Sequence, residues 1–171
     1  MSKTLIVYYS RTGENYWNGS IRNLSKGNTE IVAEQIAALT GGDLFEVKTR
    51  KAYPADYYAC IDEAKAELRD SARPELKAYP ESLEGYDMVY VGYPNWWGTM
   101  PMAMFTLLEH FDWTGKRICP FCTNEGSGMG GSERDLKRVC KGAKVESGLS
   151  IHGAEAANSR DKVEAWVHKM A

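Results

Sequence analysis

Five short apolar runs alternate with five stretches of helical periodicity, and this alternation constrains the fold more than any other feature of the chain. KTLIVYY (3–9) is apolar on both faces, as a central parallel strand covered on both sides requires. DLFEV (43–47), YDMVYVGY (86–93), KRICPFCT (116–123) and KVESGLSI (144–151) read as the other strands. Thr29 to Leu39 repeats apolar residues every three to four positions and stops at Gly41-Gly42. DYYACIDEAKAELRD (56–70) follows Pro54 as a second helix, and Pro101 to His110 is a third with proline at its start. Ser132 is the expected N-cap of SERDLKRVCK, with Gly142 closing it, and Ser159 the expected cap of SRDKVEAWVHKM. Strands alternating with helices predict an α/β fold with a doubly wound parallel sheet, built as a single domain over residues 1–171.

In such sheets ligands sit beyond the carboxyl ends of the strands, so the loops after Tyr9, Tyr93 and Thr123 are the ones to inspect. The first offers Ser10, Thr12 and Gly13, then Asn28 and Thr29 at a helix start. Short hydroxyl and amide side chains, a glycine and the free N–H groups of a helix N-terminus suit a phosphate; helix capping alone also accounts for them. No GxxxxGK[ST] is present, which argues against a nucleoside triphosphate. The second loop, YPNWWGTMP (93–101), sets two adjacent tryptophans among Pro94, Gly98 and Pro101. Large aromatics in a surface loop suggest a flat ligand stacked on an indole, or else a cap on the core or a dimer contact. The third, TNEGSGMGG (123–131), matches G-x-G-x-x-G over 126–131. A dinucleotide fingerprint belongs on the first strand of such a sheet, and this match follows the fourth, so a glycine-rich wall against a planar ring explains it as well.

Composition closes off other classes. A net charge of −2 gives no basic surface for nucleic acid. No apolar run reaches the length of a membrane span, and TLIVYY is too short for a signal-peptide core, so a cytoplasmic protein with reduced thiols and no membrane contact is expected. His110, His152 and His168 lie far apart without metal-ligand spacing, and no metal site is expected. Cys119-Pro-Phe-Cys122 is a C-x-x-C motif. Dithiol chemistry wants the first cysteine at a helix N-terminus. Here both fall inside a predicted strand, and an odd separation sends them to opposite faces, which makes them inert core thiols.

Taken together, the three loops resemble those of the flavodoxin family, and in particular of small bacterial flavodoxin-like proteins with YSRTGNT after the first strand. Without Glu14 to Gly27 this sequence reads YYSRTG–NTEIVAEQIA, and DLFEV, VYVGYPNWWGTMP and PFCTNEGSG follow in the same order. The resemblance implies a flavodoxin-like three-layer sandwich, a five-stranded parallel sheet in the order 2-1-3-4-5, with FMN held non-covalently. On that basis Ser10, Thr12, Gly13, Asn28 and Thr29 would hold the phosphate, with Arg11 either contributing charge to the site or lying outward. Pro94, Asn95, Trp96, Trp97 and Gly98 would wall the isoalloxazine on one side, and Thr123, Asn124, Glu125, Gly126, Ser127 and Gly128 on the other. The insertion Glu14 to Gly27 leaves open whether Gly13 or Gly27 takes the family's glycine position. Its middle would bulge over the same rim, with Tyr16 and Trp17 covering the flavin or shaping a cleft, or would be a surface excursion or dimer contact.

An aromatic wall disfavours the anionic reduced flavin and would push its potential down. The implied activity is electron transfer between redox partner proteins; the alternative is an FMN-dependent NAD(P)H:quinone-type oxidoreductase with a small-molecule acceptor. A monomer or weak homodimer is expected. A phosphorylated receiver domain on the same topology would need an acidic cluster at the strand ends, where Tyr9-Ser10 and Tyr93-Pro94 stand instead.

Overall fold

The computed structural model describes residues 3–171. Its elements in order are β1 (Lys3–Tyr8), β2 (Gly13–Trp17), β3 (Ser20–Leu24), α1 (Asn28–Thr40), β4 (Asp43–Glu46), α2 (Tyr57–Arg69), β5 (Tyr86–Pro94), α3 (Met102–Glu109), β6 (Arg117–Asn124), α4 (Ser132–Val139), β7 (Lys144–Val145), β8 (Leu149–His152), a 3₁₀ turn (Gly153–Asn158) and α5 (Arg160–Met170). The main sheet runs β4-β1-β5-β6, followed by β7 and β8 on the far side of β6, all parallel. Counting only main-sheet strands, this is the expected order 2-1-3-4-5.

Alternating side chains of the central strands feed two separate cores. Ile6, Tyr8, Tyr90 and Phe121 meet Val32, Ile36, Val163 and Val167 of α1 and α5. Leu5, Val7, Val89 and Val91 meet Phe105, Leu107 and Leu136 of α3 and α4 on the other face. The sheet is therefore the middle layer of three. Gly92 of β5 lies opposite Phe121 of β6, and a Cβ there would fall on the ring. That glycine is required for close packing across two neighbouring strands. Among the described residues no helix is long and apolar enough to cross a membrane.

Three local expectations need correction. The last strand is not continuous: β7 pairs with Arg117 and Ile118, and β8 with Phe121 to Asn124, with one extra residue between them on the outer strand. The break falls beside Pro120. Carbonyls of Lys116 and Ile118 accept from the fifth strand, so position 120 faces it too, and proline has no N–H to give there. Ser132 is not the N-cap of α4. Gly131 holds that position, while the buried Ser132 hydroxyl accepts from Tyr93 Oη (2.8 Å) and donates to the Met129 carbonyl (2.6 Å). Ser159 stands at the N-cap of α5 but makes no side-chain cap; its hydroxyl turns back to the Ala156 carbonyl (2.7 Å).

Cys119 and Cys122 lie within β6 and belong to different cores, as their spacing requires. Burial pushes their thiols up to about 12, and that of Cys140 equally. At pH 8 only about one such thiol in ten thousand is ionised. Thiol titration of the folded protein with an aromatic disulfide is therefore expected to show no fast-reacting group at these three positions, and all of them after denaturation. Rapid modification of Cys119 or Cys122 in the native state would overturn this reading.

Candidate functional site

The inserted segment folds as a β-hairpin. Glu14 to Trp17 pair antiparallel with Ser20 to Asn23 around Asn18-Gly19, whose φ values of 51° and 87° are both positive. That pairing of residues in the left-handed region is what a two-residue hairpin turn demands. The hairpin stands on the carboxyl-end rim of the main sheet, between β1 and α1. Its base is braced by Arg11, whose guanidinium donates to the carbonyls of Glu14 (2.9 Å), Pro54 (3.0 Å) and Ala55 (3.2 Å). Glu14 in turn accepts the backbone N–H of Tyr57 at the start of α2 (2.7 Å). Neighbouring residues of β2 face opposite ways. Tyr16 meets Tyr57 edge-on, with ring centroids 5.0 Å apart, while Trp17 lies under the Arg22 guanidinium on the other side.

Under the hairpin is a cavity of about 280 Å³. Arg11, Asn28, Pro94, Asn95, Trp96, Trp97, Thr123, Asn124, Glu125 and Ser127 line it, so residues from all three expected loops converge. Asn15, Tyr16, Tyr57, Cys60, Ile61, Ala64 and Gly153 complete the wall. Ser10, Thr12 and Gly13 instead face a second, more open hollow of about 750 Å³ on the other side of Arg11, alongside Glu30, Glu46 and Lys48. Thr29 is buried, its hydroxyl paired with that of Thr123 at 2.8 Å, which ties the start of α1 to the end of β6. Ser10 accepts the Glu30 N–H (3.1 Å) and so caps α1 from outside the helix. The two glycines differ in packing. A Cβ at Gly27 would collide with Ser10 Oγ and lie 2.6 Å from the Arg11 carbonyl oxygen, whereas one at Gly13 would find its nearest neighbour at 3.9 Å.

Gly98, Gly126 and Gly128 do not line the cavity; they shape the loops that do, with φ values of 91°, 116° and 71°. Asn95 locks two of these loops together. Its Oδ1 accepts the Gly98 N–H (2.8 Å), its Nδ2 donates to the Gly128 carbonyl (2.9 Å), and its own N–H reaches the Thr123 carbonyl (2.9 Å). The two tryptophans divide the work. Trp96 packs edge-on against Tyr9 and Tyr53 at 5.2 and 5.1 Å, joining the cavity wall to the core. Trp97 stays 47% exposed at the rim, where its indole N–H donates to the Ile61 carbonyl (2.8 Å) and Lys65 lies over the ring. Its φ of 58° is unusual for a bulky residue and costs about 1–2 kcal/mol.

The chemical character of the wall is specific. The Arg11 guanidinium is bonded to carbonyl oxygens only, so its charge has no carboxylate partner among the described residues. Asn28 Oδ1 is fully buried and has no hydrogen-bond partner there either. A buried acceptor without a donor is costly, and a ligand hydroxyl or N–H would relieve it. Gly153 makes room for this side chain, since a Cβ at 153 would lie 2.6 Å from Asn28 Nδ2. Burial pushes the Tyr57 phenol up to about 12, so it remains a neutral O–H at physiological pH. An anion beside Arg11, hydroxyls beside Asn28 and a flat ring beside the tryptophans would each meet a matching surface.

Tyr57 and Gly153 escape sequence inspection. Tyr57 reads as an ordinary first-turn helix residue, and only the placement of α2 against the rim brings it in. Gly153 follows the last strand, and its position there is the available signal.

The model of a family described as Flavodoxin matches residues 22–170. No curated protein matches the chain. Among solved structures, one from Bacteroides uniformis described as a flavoprotein is 30% identical, with a TM-score of 0.79 and 98% of each chain covered. One from Bacteroides eggerthii, likewise described, is 28% identical with a TM-score of 0.79, covering 99% of this chain and 98% of the other. A flavoprotein from Lactobacillus acidophilus in complex with FMN is 23% identical with a TM-score of 0.63, covering 92% of this chain and 98% of that one.

Proposed function

Because the chain belongs to the flavodoxin family, we propose that it binds FMN non-covalently in the cavity under the hairpin and carries electrons between redox partner proteins. One observation carries this reading: Arg11, the unpartnered Asn28 Oδ1 and the Trp96-Trp97 wall line the same cavity at the strand ends. Arg11 and the free N–H groups at the start of α1 would receive the phosphate. Asn28 would accept a ribityl hydroxyl. Pro94 to Gly98 and Thr123 to Gly128, fixed to each other through Asn95, would flank the ring. Ser10, Thr12, Gly13 and Thr29 would then support the phosphate loop more than touch the ligand. The flavin supplies the redox chemistry, and the protein holds it, shields it and sets the charge around it.

The hairpin favours a second reading. Tyr16 and Tyr57 add an aromatic wall above the site, and a walled cleft suits a small acceptor, as an NAD(P)H:quinone-type oxidoreductase would need.

The test is an absorption spectrum of the purified protein before and after FMN is added, followed by anaerobic titration with reductant. Bound FMN that takes up electrons singly is the expected result for a carrier. Uptake only in pairs, together with NAD(P)H oxidation coupled to quinone reduction, would replace electron transfer with the reductase. Failure to bind FMN would remove both.

A further inference from the structure

The hairpin forms a two-stranded sheet of its own with no ladder to the main sheet. It gives Asn15 and Tyr16 to the cavity wall. Ser20 to Asn23 are exposed, and within residues 13–24 only Leu24 is buried. So little apolar surface is covered that lifting the hairpin away costs little compared with opening the core.

Polar contacts at its two ends hold it down. At the base are the Arg11 braces and the Glu14–Tyr57 bond already described. At the tip, Asn18 Oδ1 lies 3.0 Å from His152 Nε2, and the same nitrogen is 3.2 Å from Glu125 Oε2. Both neighbours of Nε2 are acceptors, so this nitrogen carries a proton and donates. The base is thus fastened on the α2 side of the cavity and the tip on the β8 side, with the cavity between. One leg begins at Gly13, whose φ is 82° and around which a Cβ would find nothing closer than 3.9 Å. The other passes through exposed Ser25 and Lys26. The first leg is tied locally by Asn15 Nδ2, which donates to the Arg11 (2.9 Å) and Gly13 (3.2 Å) carbonyls, and the second by the exposed Lys26–Glu34 ion pair (2.6 Å).

We infer that the β2–β3 hairpin is a strap across the mouth of the cofactor cavity, and that His152 is the latch holding its Asn18 tip. A ligand enters and leaves when that latch opens. The inference rests on the FMN reading for the identity of the ligand, and on the hairpin geometry alone for the strap. A latch differs from a binding residue in its kinetics: removing it speeds entry and exit alike and leaves the equilibrium nearly unchanged.

The experiment uses the full chain with Asn18→Gly, which keeps the left-handed turn and deletes the amide, with His152→Ala, and with His152→Gln, which restores an N–H donor. Hydrogen exchange of residues 13–24 is followed by mass spectrometry with and without FMN, and FMN binding and release by its fluorescence. Loss of one hydrogen bond of ordinary strength corresponds to about a fivefold change. Asn18→Gly and His152→Ala are expected to raise hairpin exchange and both FMN rate constants by about that factor, with Kd almost constant and His152→Gln close to the original protein. Unchanged hairpin exchange in both variants would overturn the latch. Faster exchange with unchanged FMN rates would overturn the gating role. If the original protein takes up no FMN, the proposed function and the gating of FMN fall together, and the exchange measured without ligand still decides whether His152 holds the tip.

Discussion

Replacing Gly27 with alanine is expected to lower stability by about 2–3 kcal/mol, the upper part of the range for forcing an extra methyl into a packed site, and to abolish FMN binding. The backbone at Gly27 is ordinary, with φ −68° and ψ 154°, so alanine meets no conformational penalty there. The obstacle is contact. The new methyl would press on Ser10 Oγ and on the Arg11 carbonyl oxygen at 2.6 Å, and the latter is backbone that cannot rotate away. Relief would require the first loop to separate from the start of α1. That separation would break the Ser10 cap on Glu30 and shift Arg11 and Asn28, the two cavity residues on either side of it. Gly13→Ala is the control. Its φ of 82° makes alanine strained by about 1 kcal/mol, yet the nearest neighbour, Asn23 Oδ1 at 3.9 Å, is at ordinary contact distance, so cofactor binding is expected to survive. Urea denaturation together with FMN titration separates the two. If Gly27→Ala were no worse than Gly13→Ala, the close approach of the two chain segments would not be what shapes the loop.

The same comparison shows what the sequence makes visible. A motif split by an insertion still closes in space, because Ser10-Arg11 and Gly27-Asn28 are held together by packing at the head of α1. Sequence reading that sets the insertion aside recovers this head and the Trp96-Trp97 and Thr123–Ser127 walls, since each follows a strand of unmistakable apolar character. It passes over the hairpin, although Asn18-Gly19 between two short extended runs is a direct hairpin signal. It also passes over the split of the fifth strand, which originates in a proline on the strand next to it. Pro120 alters its neighbour through a missing donor, and no property of residues 144–151 themselves reports that. Tyr57 and Gly153 belong to the same class: each enters the site through the placement of an element whose own sequence is unremarkable.

On the FMN reading, Arg11 receives the phosphate end of the ligand. Arg11→Ala is expected to weaken FMN binding by roughly 10- to 100-fold, which corresponds to the loss of a hydrogen-bonded charge on a phosphate. Riboflavin, which has the same ring and polyol without the phosphate, is expected to bind the original protein and the variant almost equally. Arg11→Lys keeps the charge but not the fork that joins Glu14, through Nε, to Pro54 and Ala55, through Nη2, and should fall between them. Salt gives an independent check. FMN affinity of the original protein should decline as ionic strength rises, and that of Arg11→Ala should decline less steeply. The riboflavin comparison matters because Arg11 also braces the hairpin. If its contribution were purely mechanical, losing it would act on both ligands alike and leave the ratio of their affinities unchanged. Equal losses would therefore make Arg11 a brace only, and would shift the anion site to the backbone N–H groups at the start of α1.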